Sequence, residues 1–571
     1  MFNLLQSIIA DIPPNLSTLT EIALIIIIAT TLALVIRAFR QPLIPAYIVT
    51  GIIIGPLVLG LIKNQELVMA LSEIGIAFLI FTAGLEIKIK KLKEVGKTIL
   101  IGGVIQVVSL FVIAFFISEY LGFGNQASMY IGLVVAFSST MIVVKILSDK
   151  REINSLHGRI IIGIMLIQDV AAIIALAILS SDLSLESIGI MFIKCILFLL
   201  ATFILSKIAN PIFKISAKTH DLLLLVSISF LFLFILGAFA SGLSLIIGAF
   251  LAGVALANSD YKTEIQGKIS PLREFFAVIF FVALGMQLKI ISRDFFLLFF
   301  VLLALVMVIK PLVTMFTIRL LGYKKRTSFL TGNALAQTSE FSLIIITLGF
   351  TLGYLNDNLF STLVLLTIIT MSISTYLIIY EKRISRVLDW PLNILNRYHS
   401  KNENLEYNGN DGKKILIFGC HRMGSLFLKE FEKNKSDIFV VDYNPEIIKP
   451  LMDKKIPCIY GDYVNEEVLN KINLKKAEMM ISTIPDFDEN LLLIKKIKRS
   501  NPKIISFVVA ERISEAVSLY KAGADYVILP QVISGQKVSD IIEKVKSNKS
   551  EMQKIKKEHL KYLDSVHHIL Y

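Results

Sequence analysis

The chain has little cysteine and little charge. Its three cysteines, Cys195, Cys420 and Cys458, have neither metal-ligand spacing nor the density of a disulfide scaffold, which sets aside zinc-site and secreted mini-domain readings. Charged residues are only 18% of 571 residues against 55% hydrophobic, with a mean hydropathy of +0.71. That excludes an ordinary soluble protein and points to a polytopic membrane protein. A cleavable signal peptide is not evident, because residues 1–17 lack a basic n-region and contain Asp11 and Pro13-Pro14. No TVGYG-like segment is present, which argues against a carbonyl-lined channel filter. The net charge of +13 would suit a nucleic-acid partner, but the basic residues are distributed by membrane side, so no nucleic acid is expected.

A membrane span needs roughly 20 apolar residues. Apolar runs predict 13 spans: 18–36, 43–61, 67–86, 98–118, 127–147, 158–179, 186–207, 220–239, 242–258, 273–287, 295–319, 327–349 and 358–380. Only Ser241-Gly242 separates the eighth from the ninth. One set of alternate loops carries nearly all the basic residues, among them Lys88, Lys90, Lys91, Lys150, Arg151, Lys324, Lys325 and Arg326, while the other offers only Lys63, Lys289 and Arg293. The basic set is expected on the cytoplasmic side, with the N-terminus outside and the C-terminal part in the cytoplasm.

Polar residues inside the apolar runs mark the candidate site. Gln168-Asp169 sits about 11 residues into the sixth span, ~16 Å deep at 1.5 Å per residue. A carboxylate at that depth is costly unless it is paired or hydrated, and such groups belong mostly to ion and proton pathways. The fifth span carries Ser138, Ser139 and Thr140 near its centre; the twelfth carries Asn333, Gln337, Thr338, Ser339 and Glu340. By the charge rule they run in opposite directions, as an inverted repeat with two unwound helices requires. The bland alternative is hydroxyls bonded back to helix carbonyls. Lys310, followed by Pro311, lies within the eleventh span and either pairs with Asp169 or snorkels toward the cytoplasmic face. Glu340 reads equally as a site residue or as a buried acid held by Lys310 or by a helix end.

After residue 380 the composition becomes that of a soluble protein. Residues 381–412 form a connector, with an amphipathic stretch around Trp390 suited to a membrane surface and a polar stretch after it. From 413 to 530 the pattern alternates strand and helix, with strand candidates at 414–419, 437–442, 456–461, 477–483, 503–509 and 524–530. That predicts a doubly wound parallel sheet. The first strand runs into Gly419, Cys420, His421, Arg422, Met423 and Gly424. This is the dinucleotide fingerprint G-x-G-x-x-G with His421 in the middle-glycine position. Asp442 ends the second strand, where an acid can bind ribose hydroxyls. A purely structural Rossmann domain without ligand is the alternative. Residues 531–571 are expected to form a helical tail with a lysine-rich, solvated face.

Seven segments in order, GIIIGP (51–56), FLIFTAGLEI (78–87), AFSST (136–140), QDVAA (168–172), GLSLIIGAFLAGVALANSDY (242–261), FFVALGMQL (280–288) and AQTSEF (336–341), resemble the monovalent cation:proton antiporter-2 family, and within it the Kef-type potassium efflux systems. The resemblance implies a core domain with two crossed, unwound helices that rocks against a dimerisation domain in the plasma membrane, among its lipids. It implies that Asp169 is the shared proton and cation ligand, holding potassium or sodium. Gln168, which cannot titrate, leans toward electroneutral exchange. Residues VVDYNP, YGDYVN and ISTIPD, with Asp442, Asp462 and Thr483, resemble the N-terminal lobe of a domain regulating potassium conductance. That implies a regulatory adenine nucleotide, AMP or NAD(H), with no catalytic cofactor, and a homodimer through both domains; an ancillary cytoplasmic subunit is also admitted. The segment before the tenth span lacks a continuous acidic run, since Gln266, Gly267 and Lys268 interrupt it, so glutathione control is not expected. Three functions stay open at this point: a cation/proton exchanger, a ligand-gated potassium path closer to a channel, and an NAD-dependent redox enzyme. The last lacks a catalytic constellation beside the fold.

Overall fold

The computed structural model describes residues 14–39, 41–62, 64–86, 97–150, 152–153, 155–179, 220–257, 261–323, 325–381, 413–420, 422–431, 437–442, 445–461, 474–547 and 551–570, and the short pieces 194, 198, 213, 215–216, 259, 384–385, 406–407, 469 and 472. They fall into two compact units, residues 1–153 with 157–399, and 400–571 with 154–156.

Among the described residues of the first unit, nine helices are long and apolar enough to cross a membrane, and three shorter apolar helices accompany them. In chain order the unit contains α1 (Pro14–Ala38), α2 (Leu43–Ile54), α3 (Gln65–Glu86), α4 (Lys97–Tyr120), α5 (Asn125–Ala136), α6 (Thr140–Asp149), α7 (Leu156–Leu179), α8 (His220–Ala240) and α9 (Leu245–Leu256). It continues with α10 (Lys262–Met286), α11 (Asp294–Ala304), α12 (Lys310–Leu320), α13 (Lys325–Ala334), α14 (Glu340–Thr351) and α15 (Asp357–Ile379). The expected seventh span lies outside the described residues apart from 194 and 198. The narrow boundary between the eighth and ninth spans is a turn through Gly242, whose φ of +69° suits glycine.

Most helix contacts fall into two groups, which meet where α15 contacts α2. In one, α3 lies against α9 and α10, and α10 against α2. Small residues let these backbones meet: a Cβ on Gly51 would lie 2.0 Å from the Val282 carbonyl oxygen, and one on Gly253 2.1 Å from that of Phe81. In lipid, where apolar burial gives no drive toward association, such close backbone packing supplies much of the cohesion. In the other group α4 packs on α5, α5 on α14, and α12 on α13 and α4, while α15 meets α6, α13 and α14.

Two helices depart from expectation. The tenth starts at Lys262 rather than 273 and runs through Pro271, because its first turns are an amphipathic extension that the apolar run alone does not reveal. The eleventh contains a π-turn, Leu305–Ile309, directly before Lys310-Pro311. Pro311 has no N–H for the preceding turn, and the widened turn accommodates the lost bond.

The second unit is a seven-stranded sheet in the order β1-β4-β3-β2-β5-β6-β7. Its strands are β1 (Glu406–Tyr407), β2 (Ile415–Phe418), β3 (Ile438–Asp442), β4 (Cys458–Tyr460), β5 (Met479–Ser482), β6 (Ile505–Val509) and β7 (Tyr526–Ile528). β2 to β7 pair in parallel, all six at the expected places. β2 and, up to its last residue Asp442, β3 are apolar and almost wholly buried, as a sheet covered on both faces requires. β1 lies within the segment read as connector: Glu406 and Tyr407 add antiparallel to β4. The amphipathic stretch around Trp390 lies outside the described residues. The intervening helices are α16 (Arg422–Glu430), α17 (Pro445–Asp453), α18 (Phe487–Ser500) and α19 (Ile513–Lys521), and α20 (Pro530–Ser547) and α21 (Glu551–Leu570) end the chain.

Candidate functional site: two broken helices around Asp169

Both polar runs are breaks. α5 stops at Ala136, Phe137 is extended (φ −92°, ψ 153°), and α6 restarts at Thr140 with Ser139 as its N-cap, accepting from the Ile142 N–H. α13 stops at Ala334, and α14 restarts at Glu340 with Ser339 as N-cap in a capping box with Ser342. Serine suits both restarts because its hydroxyl satisfies an orphan N–H of the new helix.

The breaks hold each other. Ser138 Oγ donates to the Leu335 carbonyl at 3.0 Å, Gln337 Nε2 to the Ser139 carbonyl at 3.4 Å, and Ser342 Oγ to the Val134 carbonyl at 2.8 Å. The juncture thus collects two helix N-termini, carrying partial positive charge, and two C-termini, carrying partial negative charge. Ionisable side chains answer both. Lys310, fully buried, donates to the carbonyls of Val135 (2.8 Å), Phe137 (2.7 Å) and Gln337 (2.7 Å). Its three protons are therefore spent on the two breaks. This corrects the expectation of a Lys310–Asp169 pair, and equally that of snorkelling: the carbonyls left behind by two unwound helices need a donor more than a distant carboxylate does.

The carboxylates sit at the N-terminal ends. Thr140 Oγ1, at the first position of α6, lies 3.0 and 3.1 Å from the two oxygens of Asp169. Glu340 occupies the first position of α14, which favours the helix-end reading over a Lys310 contact, and its Oε2 is buried with no hydrogen-bond partner among the described residues. Asp169 is partly exposed, whereas its neighbour Gln168 is buried. Glu340 and Glu86 both lie within electrostatic range of Asp169. Gln168 Oε1 accepts the Ser138 N–H at 3.0 Å, which ties α7 to the first break.

Sequence reasoning missed part of the polar shell. Gln106 on α4 accepts from Gln168 Nε2 at 2.8 Å. On α15, Ser374 donates to Gln337 Oε1, and Thr370 meets Thr338, hydroxyl to hydroxyl, at 3.1 Å. The signal was present: Thr370 and Ser374 are four apart on one helix face, and Gln106 is a lone amide in an apolar run.

A match to the sodium/hydrogen exchanger transmembrane model over residues 23–379 decides the family. The chain belongs to it. Residues 415–530 match the TrkA-N domain model. A curated relative, K(+) efflux antiporter 6 of Arabidopsis thaliana, is 30% identical over 69% of this chain and 67% of its own length. The glutathione-regulated potassium-efflux system protein KefC of Klebsiella pneumoniae is 24% identical over 84% of this chain and 77% of its own. The sodium proton antiporter MjNhaP1 of Methanocaldococcus jannaschii shares the fold at a TM-score of 0.50 and 16% identity, covering 66% of this chain and 97% of that one. This is a multi-pass cation/proton antiporter of the Kef type with a soluble TrkA-N domain, a secondary transporter and not an enzyme.

The second site sits at the carboxyl ends of the paired strands β2 and β5, where the strand order reverses. Gly419 has a φ of +82°, and Thr483 Oγ1 donates to its carbonyl at 2.8 Å. A Cβ on Gly424 would lie 2.1 Å from the Gly419 carbonyl oxygen, so only glycine permits this turn. Asp442, buried at the end of β3, accepts the Cys420 N–H at 2.6 Å. Burial, with Asp442 and Cys458 adding to it, pushes the Cys420 thiol up to about 12, so it is inert as a nucleophile. His421 and Asp462 lie outside the described residues, and so does the side chain of Arg422. The turn, the acid and the N-terminus of α16 after Gly419 together fit a nucleotide.

Proposed function

We propose that this antiporter exchanges potassium, with sodium as the lesser candidate, for protons by competition at Asp169. The observation that carries the reading is the placement of that carboxylate. It is the partly exposed acid beside the first break, bonded to Thr140 at the start of α6. Ionised, it binds a partly dehydrated cation with help from nearby hydroxyl and carbonyl oxygens; protonated, it releases it. Lys310 does not take part in the charge exchange, because its ammonium is committed to three carbonyls. With Gln168 unable to titrate, one carboxylate serves one cation or one proton, which supports electroneutral exchange.

The division of most helix contacts into two groups supports alternating access by rocking of one against the other. The names of the curated relatives favour potassium. The N-terminus lies outside and the TrkA-N unit in the cytoplasm by the charge rule, in the plasma membrane and as a homodimer. An adenine nucleotide, AMP or NAD(H), acts on the second unit as a regulator. Gly419 and the start of α16 would hold its phosphates, and Asp442 and Thr483 its ribose side.

Proteoliposomes with an imposed potassium gradient test the exchange by internal pH. Wild type should alkalinise or acidify its lumen according to the gradient direction without a change in membrane potential. Potential-dependent, uncoupled potassium flux would replace this reading with the channel-like one.

A further inference from the structure

We infer that Gln106 is a positioning residue for transport: it fixes the amide of Gln168 and thereby holds the first helix break against the Asp169 site. The inference rests on the Asp169 reading above and adds a residue to it.

The helix geometry brings the two amides together. α4 faces α7 here: Gly103 lies against the side chain of Ile167, whose Cδ1 a Cβ at 103 would approach to 2.6 Å, and Ile167 directly precedes Gln168. One turn beyond Gly103, Gln106 is fully buried and accepts from Gln168 Nε2 at 2.8 Å. The direction of the hydrogen-bond chain is forced. The Ser138 backbone N–H can only donate, so the group facing it must be Gln168 Oε1. Gln168 Nε2 then points to α4, where only an acceptor satisfies it, and Gln106 Oε1 is that acceptor. Without it, the Gln168 amide is free to rotate and the N–H of Ser138 loses its partner. Ser138 lies two residues before Thr140, whose hydroxyl holds Asp169.

The other end of Gln106 strengthens the case. Its Nε2 is buried with no hydrogen-bond partner among the described residues. A buried amide with a dry donor is unfavourable relative to a leucine of similar volume. What offsets that cost is the amide oxygen, whose partner among the described residues is Gln168 Nε2.

The test uses full-length protein in proteoliposomes, with proton flux measured against potassium concentration and pH. Gln106→Leu should raise the half-saturating potassium concentration about tenfold, the scale of one buried hydrogen-bond partner removed, and shift the pH profile, with a smaller change in maximal rate. Gln106→Glu, which keeps an oxygen facing Gln168 and adds no charge while protonated, should recover half-saturation toward the wild-type value as pH falls, which Gln106→Leu should not. The double variant Gln106→Leu/Gln168→Leu should match Gln168→Leu alone, because the first residue acts through the second. Wild-type half-saturation and pH profile in Gln106→Leu, or additive effects in the double variant, would overturn the inference. If Gln106→Leu does not fold, Gln106→Met also lacks the acceptor and is judged by the same outcomes. Asp169→Asn separates the two claims: persistent exchange there refutes the site itself, whereas an inactive Asp169→Asn beside an unaffected Gln106→Leu refutes only the role of Gln106.

Discussion

Replacing Lys310 by methionine keeps the length and the apolar stem and removes the ammonium. In the intact protein that group meets three carbonyls at 2.7–2.8 Å, two from the first break and one from the second. Each buried carbonyl left dry costs about 1–3 kcal/mol. Removing the cation also removes its own desolvation cost, so the loss is less than three full penalties. The carbonyls are neutral, so no uncompensated charge remains, and the net loss is on the order of a few kcal/mol. Thermal melting of the purified protein in detergent, followed by size exclusion, should show a clear loss of stability for Lys310→Met. The remaining folded fraction should still exchange cations for protons, at reduced rate. The reasoning is refuted if Lys310→Met melts like wild type. It is refuted equally if the variant is stable but fully inactive, because that is the behaviour of a charge partner at the transport site.

Further consequences follow from other contacts. Thr140→Val removes the hydroxyl that bonds both Asp169 oxygens and should weaken half-saturation for potassium roughly tenfold in flux assays. Glu381→Gln breaks the ion pair with Lys150, whose carboxylate side is buried, and should lower the melting temperature of the full chain; an unchanged melt would count against that pair as a tie between α6 and the end of α15. Gly424→Ala puts a Cβ 2.1 Å from the Gly419 carbonyl oxygen and should abolish AMP and NADH binding to full-length protein by calorimetry while exchange at Asp169 persists. In the second unit, burial alone would raise the Asp525 carboxyl, but hydrogen bonds from Lys498 and Ser506 hold it below the usual carboxylate range. Its contribution is therefore present above the unfolded pKa and lost as pH falls. Asp525→Asn should destabilise that unit at pH 7, and in pH-resolved melts the difference should persist down to the unfolded carboxylate value of about 4 and shrink only as pH falls below it.

Much of the architecture could be read from residue order because the bilayer allows few options. Apolar runs separated by basic loops locate spans, and β-α alternation after residue 413 located all six parallel strands. The two breaks were legible from clustered Ser, Thr, Gln and Glu at depths where helices normally carry none. Lys310 was found but misassigned. Sequence shows that a cation is buried but not which acceptors reach it, and the exposed carbonyls of an unwound helix leave no mark in side-chain identity. β1 was missed because a two-residue strand in a polar segment has no periodicity to read. Gln106 was missed because a single amide in an apolar helix is compatible with a lipid-distant packing role until its partner on α7 is seen.

The central claim is that one carboxylate carries both proton and cation, and Asp169→Asn in proteoliposomes tests it most directly. With the variant shown to be folded and correctly inserted, the account predicts no potassium-dependent proton movement in either gradient direction. Coupled exchange persisting in that variant at a rate comparable to wild type would contradict it.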